Sequence, residues 1–213
     1  MAEILKGGAA AKALNAGTAE RISALRSRGV TPKLAILRVG ERPDDLAYED
    51  AAMKRCAALE IAAEQITLPE NVSQPELLAS IDALNVDDSV HGVLLFRPLP
   101  KHLNEPEACE RLHPKKDVDG ITSGSMAKVY SGVGAGFAPC TAQAVLELLH
   151  HFDVALSGKR VAVIGRSLVI GRPAAMLLMQ ANATVTLCHS RTEHLPETRL
   201  HQEAGIRAQA ALA

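Results

Sequence analysis

The chain has 213 residues, 23 Lys and Arg against 24 Asp and Glu, a formal charge of −1, and three Phe, two Tyr and no Trp. That length suits one large or two small domains with an aliphatic, alanine-rich core, and the dispersed charges offer no basic face to a nucleic acid. No apolar run approaches the ~20 residues of a membrane span, the start lacks a signal-peptide pattern, and Cys56, Cys109, Cys140 and Cys188 are too scattered for a disulfide framework or a zinc site; a reduced, metal-free, cytoplasmic protein is expected.

In chain order, "AAAKALNAGTAERISALRSRG" has helical periodicity and a stop at Gly29. "KLAILRVG" is a short β-rich run, "DLAYEDAAMKRCAALE" returns to helix, and "SQPELLASIDALN" opens with a serine suited to a helix cap. "VHGVLLFRPLP" is an apolar strand broken by Pro98 and Pro100. Such alternation predicts parallel strands joined by helices. "LHPKKDVDGITSGSMAKVYSGVGAGFAPCT" has little periodicity and many glycines, so it is expected to be a loop over an active face. "TAQAVLELLHHF" then reads as a helix capped by Thr141 that leads into a second domain, with the boundary at Pro139: residues 1–139 and 140–213.

The second domain carries "RVAVIGRSLVIGRPAAMLLMQANATVTLCHSRT", which reads as strand, glycine turn, helix, strand and polar turn. A phosphate-binding turn needs glycine where backbone and anion approach, then a helix whose N–H groups face the charge. Gly165 and Gly171 flank "RSLVI", and Pro173 stands at the helix start, where a missing N–H costs little. The spacing is not GxGxxG, and the glycine pair alone is weak. The second strand ends in "HSRT", where NAD enzymes usually place an acid and NADP enzymes basic or hydroxyl groups. Ser190, Arg191 and Arg166 therefore favour NADP.

The ordered set "ILKGGAAAKAL", "VGERPDDLAYEDAAMKRC", "GVLLFRPLP", "KKDVDG", "PCT", "VIGRSLVIGRP" and "TVTLCHSRT" resembles the bifunctional methylenetetrahydrofolate dehydrogenase/methenyltetrahydrofolate cyclohydrolase family of the FolD type. The resemblance implies an α/β fold: an N-terminal catalytic domain, then a partial Rossmann-like domain, with a tetrahydrofolate derivative held between them. It implies NADP bound by Gly165, Arg166, Ser167 and Ser190, and a homodimer or a hetero-oligomer with a complete family member. Tyr48 and Asp119 match the family's catalytic Tyr and pterin-gripping Asp, and Phe96, Pro98 and Leu99 join them in the substrate-binding set.

Four positions depart from the pattern. The family lysine, four residues after the tyrosine on one helix face, is Ala52, and the family glutamine is Phe96. Asp45 replaces a serine and Ser125 an asparagine. Lys54, the nearest substitute amine, lies roughly 200° around the helix from Ala52. The expected chemistry is NADP-dependent oxidation of 5,10-methylene-tetrahydrofolate, with hydrolysis to the 10-formyl product weakened or lost. A non-catalytic or substrate-altered binding paralogue is the alternative. The His residues have no ligand spacing, so no metal is expected. Family members continue past Thr192 with further strands, a glycine-rich loop and a last helix, whereas "EHLPETRLHQEAGIRAQAALA" keeps only a trace of the next elements. A two-stranded half sheet with an edge needing cover is therefore expected.

Overall fold

A computed structural model describes residues 4–195 and the backbone of 204–207. The chain separates into two compact units, Ala11–Ser123 and Gly124–Ala213 with Met1–Ala10. Their elements, in chain order, are α1 (Gly7–Arg26), β1 (Lys33–Val39), α2 (Pro43–Ala58), β2 (Ala62–Leu68), α3 (Gln74–Val86), β3 (Gly92–Leu95), α4 (Glu105–Arg111), α5 (Ser123–Ser131), α6 (Cys140–His151), β4 (Arg160–Ile164), α7 (Gly171–Gln180), β5 (Thr184–Cys188) and β6 (Ala204–Arg207).

In the first unit the strands run in the order β2-β1-β3, all parallel. Central β1 reads "KLAILRV" and is buried from Ala35 to Val39, as a strand covered on both faces requires. Leu77 and Ile81 of α3 and Leu112 pack with Leu37, Val93 and Leu95 in an aliphatic core. Ser73 caps α3 in a reciprocal box: it accepts from the Glu76 backbone N–H while the Glu76 carboxylate accepts from the Ser73 N–H at 2.9 Å. The Ser73 hydroxyl, which also donates to that carboxylate at 2.7 Å, and then the Ser73 N–H hold the Glu76 carboxyl below its ordinary range. At the start of β3, a Cβ on Gly92 would lie 2.5 Å from a methyl of Val118. The missing side chain lets the "DVDG" segment run against β3, and Val93 bridges to Asp117.

The second unit has the strand order β5-β4-β6, again parallel. Val161 and Val163 of β4 pack with Leu146 and Leu149 of α6 and Leu178 of α7. Three local expectations are corrected. A third strand, β6, pairs with β4 where two strands were expected. The region expected to be a loop contains α5, whose Ser125 and Val129 are buried. Ser125 is covered by the glycine-rich return, since a Cβ on Gly136 would lie 2.6 Å from the Ser125 hydroxyl oxygen; tertiary burial outweighs weak periodicity here. Finally, Thr141 is not the cap of α6, which begins at Cys140 after Pro139 with no side-chain cap bond.

Candidate functional site

In the first unit, a cavity of about 240 Å³ opens at the carboxyl ends of the strands, lined by Asp45, Tyr48, Leu94, Leu95, Phe96, Arg97 and Asp119. Residues 45 and 48 come from one face of α2, three positions apart. Phe96 and Arg97 follow β3 directly, and Asp119 is delivered by the segment that Gly92 admits beside it. The Tyr48 and Phe96 rings meet edge to face, 5.4 Å between centroids, an arrangement favoured by the ring quadrupoles. Phe96 is buried, whereas Tyr48 is 62% exposed, so the pair offers an open aromatic wall. Asp117 secures the turn: its carboxylate accepts from the Ile121 N–H at 3.0 Å and the Thr122 N–H at 2.9 Å. Asp119 faces the cavity.

Three arginines organise the charge around it. Arg38 donates to Glu49 at 2.8 Å, with both side chains buried, and also to the Gly40 carbonyl. The second Glu49 oxygen accepts from Gln65 at 2.7 Å. This network joins β1, α2 and β2 under the helix that carries Tyr48, and a buried pair survives only with its remaining lone pairs satisfied. Arg42 grips Asp45 with two bonds of 2.8 Å, a fork geometry that uses both carboxylate oxygens; those bonds push the guanidinium further up from its ordinary pKa. Arg97 lies 3.8 Å from Glu105 and 3.9 Å from Asp119.

The remaining expected cleft residues divide. Pro98 and Leu99 line a second cavity of about 460 Å³ with Val39, Gly40, Glu41, Arg42, Glu70, Pro100 and Lys101, not the one holding Tyr48 and Asp119. Ala52 is half-buried on α2 and places no polar atom near Tyr48. Lys54 is exposed and paired with Asp50 at 2.6 Å, as a solvated surface lysine would be. Burial pushes the Cys56 and Cys109 thiols up, which leaves them unreactive.

The turn in the second unit is equally definite. Gly165 follows β4 with φ of 120°, a conformation that favours glycine, and its N–H donates to the Cys188 carbonyl at 2.8 Å, tying together the ends of β4 and β5. A Cβ on Gly171 would lie 1.9 Å from the Gly165 carbonyl oxygen, so the start of α7 needs glycine for close approach. The Ser167 hydroxyl accepts from the Ile170 N–H at 3.1 Å, and its own proton remains a donor. Arg166 is exposed beside it. Ser190 is exposed in the turn after β5, which is held by the His189 N–H donating to the Thr192 hydroxyl at 2.8 Å. Gly165, Arg166, Ser167 and Ser190 therefore gather at the carboxyl ends of adjacent strands, where open α/β sheets bind ligands. Among the described residues no group of three or more His, Cys, Asp or Glu could hold a metal, and no helix is long and apolar enough to cross a membrane.

Comparison with known proteins finds a family match for each of two regions of the chain. Residues 5–119 match the catalytic domain of the tetrahydrofolate dehydrogenase/cyclohydrolase family, and residues 139–210 match its NAD(P)-binding domain. The chain belongs to this family. The bifunctional protein FolD of Alkaliphilus oremlandii is 46% identical over 195 residues, spanning 92% of this chain and 68% of the relative. Among solved structures, FolD of Campylobacter jejuni superposes with a TM-score of 0.91 at 36% identity, covering 97% of this chain and 73% of that one. The Trypanosoma brucei enzyme, complexed with NADP cofactor and inhibitor, gives 0.84 at 32% identity, covering 97% and 71%. Sequence reasoning missed the Arg38–Glu49–Gln65 network and the approach of Arg97 to Glu105. An arginine inside the otherwise apolar "LAILRV" was the available signal for the first, because a lone charge in a doubly covered strand must find a partner.

Proposed function

We propose that this family member catalyses the NADP-dependent oxidation of 5,10-methylene-tetrahydrofolate to the methenyl form and hydrolyses that product poorly. The observation that carries the reading is the contrast between a fully formed nucleotide turn and a cleft in which Ala52 and Phe96 replace amine and amide. Hydride transfer needs mainly correct placement of two rings. Asp119, Tyr48 and Phe96 would hold the pterin, with Pro98 and Leu99 extending the surface. Gly165, Arg166, Ser167 and Ser190 would hold NADP, which when bound supplies the hydride acceptor.

Hydrolysis asks for more, since a proton must be moved as water adds and the ring opens. Arg97 lines the cavity and Arg42 is bonded to Asp45 on its wall, and a guanidinium does not release its proton. Lys54 is held at the surface by Asp50. Hydride transfer is therefore supported by the residues present and hydrolysis is not. We place the reaction in the cytoplasm, and the edge position of β5, with Leu187 exposed, favours a homodimer or a hetero-oligomer that covers the edge.

Formation of NADPH from 5,10-methylene-tetrahydrofolate and NADP is the expected result, with no matching loss of methenyl absorbance beyond the uncatalysed rate. Introducing Ala52→Lys together with Phe96→Gln should raise methenyl hydrolysis by about 100-fold, the low end for a positioned acid-base group. No NADPH would overturn the dehydrogenase assignment, and equal hydrolysis by the parent and the double variant would overturn the lost-catalyst account.

A further inference from the structure

Arg97 stands apart from Arg38, Arg42 and Arg111, the arginines that hold carboxylates by short bonds in the first unit. Arg38 and Arg42 spend their donors on bonds of 2.8 Å, and Arg111 holds Asp82 at 2.5 and 2.6 Å. Arg97 lies on the cavity wall, 3.8 Å from Glu105 and 3.9 Å from Asp119. Those separations are close enough for charge to fix the guanidinium and too long for a hydrogen bond. Glu105 is itself anchored, since its other oxygen accepts from the Leu99 N–H at 2.7 Å. The result is a positioned, partly buried fork of donors aimed at a cavity with an aromatic wall.

Resting on the dehydrogenase reading, we infer that Arg97 is a specificity-determining residue that donates to the carbonyl oxygen of the pterin lactam edge, beside Asp119, which accepts from the N–H groups of that edge. The 2-amino-4-oxo pterin ring presents donors next to an acceptor, and a carboxylate beside a guanidinium is the complementary pattern. The edge-to-face pair of Tyr48 and Phe96 supplies an apolar surface for the ring. Arg97 moves no proton; it reads the substrate. The cleft thus rejects a ring whose 4-oxo group is replaced by a donor, because the guanidinium would then face a like group in a partly desolvated site.

The test compares the parent chain with Arg97→Leu and Arg97→Lys, using 5,10-methylene-tetrahydrofolate and its 4-amino-4-deoxo analogue. A hydrogen bond to a charged group of this kind corresponds to about 10- to 100-fold. The parent should show a KM lower by that factor for the 4-oxo substrate. Arg97→Leu should lose the preference by raising the 4-oxo KM, with kcat within about twofold, and Arg97→Lys should restore part of it. A preference retained in Arg97→Leu would overturn the inference; should that variant not fold, a preference retained undiminished in Arg97→Lys would do the same, because a single ammonium does not reproduce the fork.

If the parent transfers no hydride, the dehydrogenase reading falls by itself, and the comparison is made by thermal protection with tetrahydrofolate and its 4-amino analogue. Selective protection by the 4-oxo compound that disappears in Arg97→Leu would support Arg97. Equal protection of parent and variant would overturn it.

Discussion

The cleft of residues 11–123 and the nucleotide turn of residues 124–213 follow opposite strategies. The turn is built from backbone: Gly165 at positive φ, Gly171 where a Cβ would strike a carbonyl, and a serine hydroxyl receiving the first helical N–H groups. The cleft is built from side chains, a ring pair and three arginines set against carboxylates. A site made of backbone tolerates little change, because a methyl group already collides. A site made of side chains can be re-equipped while its helix and strand stay in place.

The sharpest way to break this comparison is to attack the support under the cleft. Glu49→Ala would leave Arg38 buried without its carboxylate, and an uncompensated buried charge of this kind costs about 3–5 kcal/mol. Chemical denaturation should report that loss, and a change under 1 kcal/mol, the range of an exposed pair, would show that the network is not a buried support. The corresponding attack on the turn is Gly171→Ala. It should cost about 1–3 kcal/mol as an overpacked contact and weaken NADP binding, read by titration calorimetry. Unchanged affinity would mean that the turn can give way, and the contrast with the cleft would fail.

Smaller effects sharpen the comparison. Arg166→Ala should reduce the preference for NADP over NAD by about tenfold, the scale of a charge-assisted bond to phosphate, while leaving the folate KM unchanged. An equal loss with both nucleotides would assign Arg166 to the shared pyrophosphate or to the fold. The smallest effect concerns acid. Glu76 has its folded pKa below the unfolded value of 4.5 through its bonds to Ser73, so its contribution is complete above that value and is lost as the pH falls through the folded pKa. Ser73→Ala should therefore lower the melting temperature at neutral pH and flatten the acid limb of the stability profile. Parallel limbs in parent and variant would remove the capping box as the cause.

Much of this was legible in the chain. The apolar runs of β1, β3 and β4, the serine cap of α3 and the ordered motifs report local preferences and a shared pattern, both of which are properties of sequence. The Tyr48–Phe96–Asp119 grouping was legible through the motifs, although Pro98 and Leu99 line a neighbouring cavity instead. The helix at Ser123–Ser131 was not legible, because burial of Ser125 under Gly136 depends on a return of the chain that periodicity does not encode. Nor was the third strand of the second sheet, whose short segment Ala204–Arg207 has meaning only beside β4.

Most of the alternation of strands and helices, and the family, could be read along the chain, since periodicity, turn chemistry and motif order are local properties. Only the tertiary structure decided that Asp117 secures the turn while Asp119 faces the cavity, that Arg42 neutralises Asp45, and that Arg97 stands between two carboxylates with its donors uncommitted. Those outcomes depend on distances of a few ångströms between residues far apart in sequence, and hydrogen bonds and ion pairs change their meaning over such distances.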